Sequence, residues 1–175
     1  MDQLAVVTVT YSPGEFLTQF LDTLPAATTA HTQVVMADNG STDGAPEAAA
    51  AERENVRLVH TGGNIGYGAG INHAVAELDP SIEFVVVANP DLRWNPGTID
   101  ALLDAAARWP SAGAFGPMVR ELDGSVYPSA RELPSLFGGT VHAVLGTVWR
   151  TNPWTRRYQQ RDELAERDPT AALLG

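Results

Sequence analysis

Phe84-Val85-Val86-Val87-Ala88 is a short, uncharged, mostly β-branched run that stops at Asn89-Pro90-Asp91. Such a run predicts a strand buried on both faces, as in a parallel sheet sandwiched between helices. Open sheets of that kind hold ligands in the crevice beyond the carboxyl ends of their strands. An amide and a carboxylate two residues apart at such an end are hard oxygen donors. They suit Mg²⁺ or Mn²⁺, which binds one or two carboxylates together with substrate phosphates. The same tripeptide also makes a good strand-to-loop exit, with Asp91 capping a local amide. The other strand ends decide between these readings.

From the N-terminus, Leu4 to Thr10 predicts the first strand. Ser12-Pro13-Gly14-Glu15 then reads as a helix start, with Ser12 as N-cap and Pro13 at the first helical position. Phe16, Leu17, Phe20, Leu21 and Leu24 form one apolar stripe on that helix, and Pro25 is expected to end it. A second strand is expected over Gln33 to Ala37, a second helix over Pro46 to Arg53, and a third strand over Val56 to His60. The glycine-rich stretch Thr61 to Gly70 opens a third helix, with Ile71, Ala74, Val75 and Leu78 inward and Pro80 as its stop. After the run at Phe84, Asn95 and Pro96 start a fourth helix with Ile99, Leu102, Leu103 and Ala106 inward. Ala112 to Phe115 reads as a fifth short strand. Strand and helix thus alternate four times through short connections. The fold class is α/β, a Rossmann-like, mostly parallel sheet with helices on both faces.

Beyond Gly116 the pattern changes. Leu122-Asp123-Gly124 signals a hairpin turn between Met118–Arg120 and Ser125–Tyr127. Residues 134–160 are rich in Pro, Gly and Trp, with a helix expected over Leu136 to Val148. The charged end, Arg161 to Arg167, leads into no finished element before Gly175, so the chain is expected to be part of a longer protein.

A net charge of −10 argues against nucleic acid as a partner, because phosphate contacts need clustered Lys and Arg. It argues equally against electrostatic docking on an anionic membrane. No apolar run approaches the roughly 18 residues of a membrane span. The absence of cysteine excludes disulfides, zinc-thiolate sites and thiol nucleophiles, and it fits a cytoplasmic protein. His31, His60, His73 and His142 lie too far apart in sequence to suggest a zinc site.

Three successive strands deliver ligand-type residues to one sheet edge. The second gives Asp38, Asn39, Ser41 and Asp43, the third Asn64 and the glycine loop, the fourth Asn89 and Asp91. A carboxylate after the second strand is placed to accept hydrogen bonds from a nucleobase or ribose. The glycines let backbone N–H groups approach a diphosphate at a helix N-terminus. The competing reading of Asp38 to Gly44 is an Asx-turn loop that caps the next helix through Asp43. Gly66-Tyr67-Gly68-Ala69-Gly70 lacks the spacing of a dinucleotide fingerprint and follows the third strand, which weighs against an NAD-dependent oxidoreductase. Tyr67 reads as a packing residue or a ligand stacker. Asn72 reads as helix surface or as a group aimed into the cleft.

Val-Thr-Val-Thr10-Tyr11, Asp38-Asn39-Gly40-Ser41-Thr42-Asp43-Gly44, Gly63-Asn64-Ile65-Gly66-Tyr67-Gly68 and Asn89-Pro90-Asp91 together resemble the N-terminal half of family 2, GT-A-fold inverting glycosyltransferases. Asp123 to Arg131 and Asn152-Pro153-Trp154 resemble, within that family, the actinobacterial rhamnosyltransferases. The resemblance implies a nucleotide-sugar donor, TDP-rhamnose, and a lipid-linked acceptor, a polyprenyl-diphospho-N-acetylglucosamine used in cell-wall linker synthesis. It implies a donor domain over residues 1–117 and the start of an acceptor-side region over 118–175. A lipid-linked acceptor would bring the full-length protein to the membrane. By the same resemblance Thr10, Tyr11, Asp38, Asn39, Ser41 and Asp43 would hold base and ribose. Asn64, Gly66, Tyr67, Gly68 and Asn72 would shape the donor pocket. Asp91 would bind the divalent cation, with Asn89 standing where the family carries the first Asp of Asp-x-Asp, and Arg131 would face the donor phosphates. The family's catalytic base belongs to a Glu-Asp motif downstream of Gly-Gly-Phe-Asp, and neither motif occurs in these 175 residues. The resemblance therefore places the base downstream of Gly175. It implies a donor-binding half, with a non-catalytic nucleotide-sugar-binding module as the alternative.

Overall fold

The computed structural model describes residues 4–121 and 123–127. Its contacts divide the chain into two compact units after Asp100.

The first unit is built on four strands, β1 (Leu4–Thr10), β2 (Thr32–Asp38), β3 (Val56–His60) and β4 (Phe84–Val87). They pair in parallel in the order β3-β2-β1-β4. Three helices connect them: α1 (Glu15–Ala27), α2 (Ala45–Glu52) and α3 (Tyr67–Val75). Because parallel crossovers are right-handed, two steps in one direction put α1 and α2 on one face, and the return past β1 puts α3 on the other. Alternation along the strands matches this arrangement. Val7, Val9, Val35 and Ala37 form a core with Ala74 of α3, while Leu4, Val6, Val34 and Met36 are buried on the opposite face. α1 buries Leu17, Phe20, Leu21 and Leu24, each such side chain contributing about 1.5–3 kcal/mol on leaving water.

The strand order reverses between β1 and β4. A crevice at their carboxyl ends is the place where doubly wound sheets bind ligands. Residues following Thr10 and Val87 therefore flank the expected site.

The structure departs from the sequence expectation at several points. β1, not β4, is the strand buried throughout. Among the described residues β4 pairs only with β1, and Phe84, Val85 and Val87 are 39%, 40% and 50% exposed. A β-branched run has the same composition at a sheet's centre and at its edge. α1 starts at Glu15 behind Gly14, and Ser12, at φ 50°, does not cap it, because its hydroxyl bonds across to the next loop. Pro25 lies within α1 and does not end it. Phe16 is exposed, as is Val75 on α3.

α4 (Thr98–Arg108) runs across the division between the units. It starts later than Asn95, whose carbonyl accepts from the Thr98 backbone N–H at 3.2 Å. In the second unit, residues 112–115 form no strand, only an isolated bridge at Phe115. The expected hairpin is present: β5 (Val119–Arg120) and β6 (Val126–Tyr127) pair antiparallel. The expected helix over Leu136 to Val148 lies outside the described residues, as does Arg131. Gly175, beyond which the resemblance places the catalytic base, lies outside them too. No helix among the described residues is long and apolar enough to cross a membrane.

Candidate functional site

The last residue of β2 and the one after it point to opposite faces of the sheet, and each is buried. Asp38 turns toward the α1 and α2 face. Its Oδ1 accepts from the Thr10 hydroxyl at 2.9 Å and from the Ser41 hydroxyl. The Ser41 and Gly40 backbone N–H groups reach Oδ2 at 3.1 and 3.2 Å. Burial raises the carboxyl's pKa, but the four donors outweigh it and hold the group below the ordinary aspartate value. Asp38 is therefore charged, and its acceptor positions are taken by the protein itself.

Asn39 turns toward α3. Its Nδ2 donates to the Gly66 carbonyl at 3.3 Å, and its Oδ1 lies 2.9 Å from the Thr61 hydroxyl. That hydroxyl also lies 2.8 Å from the Asp38 carbonyl and 2.7 Å from the Gly63 carbonyl, so one proton serves three acceptors. Thr61 is not among the sequence candidates. A threonine directly between a strand end and Gly62-Gly63 is its only signal.

The loops beyond β1 and β2 are latched together. The Ser12 backbone N–H donates to Ser41 Oγ at 2.8 Å, and the Thr42 N–H to Ser12 Oγ at 3.1 Å. Asp43 accepts from the Gly14 N–H at 2.8 Å and from the Ala45 N–H at 3.1 Å. Asp43 thus makes the expected Asx turn, while the N-cap of α2 is Gly44.

The remaining candidates stand open. Tyr11 is 63% and Tyr67 47% exposed. Asn64, Gly66, Gly68, Asn89 and Asp91 are also exposed or half-buried. Gly66, at φ 86°, precedes the first turn of α3, and its N–H is turned back onto Asn64 Oδ1 at 3.1 Å. Asn89 and Asp91 side chains have no hydrogen-bond partner among the described residues. Burial, and then the nearby charge of Asp91, raise the Tyr67 phenol above its ordinary value. Tyr67 at the start of α3 and Asp91 beyond β4 are thus near enough for their charges to interact. Asn72 is exposed on α3, about 200° around the helix from the buried Gly70.

Two carboxylate sites compete for a cation. Asp38, Glu47 and His60 offer ligand atoms within 4.8 Å of one another. Asp38 would have to surrender bonds to Thr10, Ser41 and Gly40 to serve there, so that set does not fit. Asp91 and Asn89 are exposed beyond β4, without hydrogen-bond partners among the described residues, and carry the hard oxygen donors that Mg²⁺ or Mn²⁺ takes.

Over 99% of its length the chain is 55% identical to the N-acetylglucosaminyl-diphospho-decaprenol L-rhamnosyltransferase of Mycobacterium tuberculosis, and it spans about 60% of that protein. Among solved structures, TarS of S. aureus matches with a TM-score of 0.59 at 21% identity, over 76% of this chain and 23% of TarS. The Pyrobaculum calidifontis mannosyltransferase PcManGT, solved with GDP-Man and Mn²⁺, matches with a TM-score of 0.55 at 24% identity, over 68% of this chain and 36% of that one. These structural likenesses establish the GT-A fold. Residues 5–172 match the family described as Glycosyl transferase family 2, and the chain belongs to that family.

Proposed function

We propose that this chain forms the donor-binding half of an inverting glycosyltransferase that moves L-rhamnose from TDP-rhamnose to a polyprenyl-diphospho-N-acetylglucosamine. The observation that supports the reading is the exposed Asn89/Asp91 pair just beyond β4 at the switch point, without hydrogen-bond partners among the described residues. The identity to the mycobacterial rhamnosyltransferase supports the sugar and the acceptor.

On this reading Tyr11 and Tyr67 flank the nucleotide, and Asn64, Gly66 and Gly68 shape the wall that the diphosphate meets. Asp91, assisted by Asn89, holds the divalent cation. A bound cation supplies neutralisation of the charge that develops on the departing nucleoside diphosphate. Displacement at the anomeric carbon by the acceptor hydroxyl needs a general base. The family resemblance places that base downstream of Gly175. The fold here supplies binding and leaving-group stabilisation.

The test is rhamnosyl transfer by the full-length protein, followed as TDP release with a polyprenyl-diphospho-N-acetylglucosamine acceptor. The expected result is turnover that Asp91→Ala lowers at least about 100-fold, the scale of removing one charge-stabilising group from an active site. TDP-rhamnose binding without any transfer would instead identify a non-catalytic binding module.

A further inference from the structure

The donor-site reading leaves Asp38 without a ligand to bind, because every one of its close partners is internal. We propose that Asp38 is a positioning residue: acting through Ser41, it fixes the Ser12 backbone and so sets where Tyr11 stands at the mouth of the crevice. This rests on the donor-site reading for its functional consequence, though not for its structural one.

The chain of contacts is continuous. The Asp38 carboxylate accepts the Ser41 hydroxyl proton. Ser41 Oγ, oriented by that donation, presents its lone pairs to the Ser12 N–H at 2.8 Å. The Ser12 hydroxyl in turn receives the Thr42 N–H at 3.1 Å. Ser12 carries the one positive φ among the non-glycine residues described, 50°, a conformation that needs outside support. Tyr11 immediately precedes it and is exposed. The Thr10 hydroxyl ties the base of the same loop to the same carboxylate. Buried, four-fold hydrogen-bonded and charged, Asp38 holds both ends of the turn that displays Tyr11. Asn39 serves as an internal control. It contacts Thr61 and Gly66 on the other face, so its loss should loosen the glycine loop and leave Ser12 unchanged.

The experiment pairs amide hydrogen exchange with calorimetric titration of TDP, on the wild type and on Asp38→Asn, Ser41→Ala, their double variant, Ser41→Thr and Asn39→Ala. Exchange at Ser12 should rise at least about tenfold in Asp38→Asn and Ser41→Ala. It should stay near wild type in Ser41→Thr, which keeps the hydroxyl, and in Asn39→Ala. TDP affinity should fall about tenfold in each single latch variant and no further in the double variant, because both act through one contact chain. Should Asp38→Asn not fold, Ser41→Ala and its rescue by Ser41→Thr carry the test. Unchanged Ser12 exchange in Ser41→Ala, or affinity losses that add fully, would overturn the proposal. Failure of the wild type to bind TDP would overturn the donor-site reading, while the exchange measurements would still decide the latch.

Discussion

The Thr10 hydroxyl donates to Asp38 Oδ1 across 2.9 Å, joining the last residues of two neighbouring parallel strands 28 positions apart. The two residues are register partners at the very end of the ladder. Their hydrogen bond closes the α1 and α2 side of the sheet where the loops begin.

That arrangement has an acid signature. The folded-state pKa of Asp38 lies below its unfolded value, so between the two the unfolded chain binds a proton that the folded chain does not. The carboxylate contributes stability above the ordinary aspartate range, near pH 4 at about 3.9 for the free group. That stability is lost as pH falls through this range toward the depressed folded value. Ser41→Ala removes a leading cause of the depression. Denaturant unfolding between neutral pH and the acid range should therefore show a shallower pH dependence for Ser41→Ala than for the wild type. Asp100, lowered mainly by its bond from Thr28, contributes equally to both proteins and cancels from the comparison.

Gly70 sits where α3 crosses β1. A Cβ there would lie 2.9 Å from Val9 Cγ2 and 3.3 Å from Cγ1, against a stiff β-branched side chain in the core. Alanine gains up to about 1 kcal/mol of helix propensity over glycine, but overpacking costs about 1–3 kcal/mol. Gly70→Ala should lower unfolding free energy by about 1–2 kcal/mol, as measured by urea titration. A stabilised variant would show that α3 can lift off the sheet freely.

Trp94 packs on Phe20 with ring centroids 5.4 Å apart, and its buried Nε1 has no hydrogen-bond partner among the described residues. Trp94→Ala should cost about 3–5 kcal/mol, the usual range for an aromatic cavity. Trp94→Phe also discards an unsatisfied buried donor, itself worth about 1–3 kcal/mol. Its cost should stay under about 1.5 kcal/mol, the scale of a well-tolerated apolar swap. Equal losses in the two variants would mean that the indole N–H is bonded in solution.

Much of this fold is legible in the sequence because its strands are short apolar runs separated by helices with one-sided stripes. The sequence delimits β1 and β3 residue for residue, and the Asp123-Gly124 turn locates the hairpin. Positions governed by distant partners are not legible. Ser12 looks like an N-cap in sequence, yet its hydroxyl is taken by Thr42, 30 residues on. Asp38-Asn39-Gly40-Ser41-Thr42-Asp43 has the same composition whether it binds a ligand or staples loops, and the structure shows its carboxylates hydrogen-bonded to the loops around them. Gly70 reads in sequence as part of a phosphate-type loop, whereas contact with Val9 requires it. Asn89 and Asp91 follow β4 at the switch point, exposed and without hydrogen-bond partners among the described residues.

The most direct test of the central claim is calorimetric titration with TDP-rhamnose, with Mn²⁺ and then with EDTA, on the wild type and Asp91→Ala. The account predicts binding that EDTA weakens at least about tenfold, with Asp91→Ala matching the EDTA-treated wild type. A tenfold change corresponds to about 1.4 kcal/mol. Binding of equal strength with and without metal, unchanged by Asp91→Ala, would contradict it.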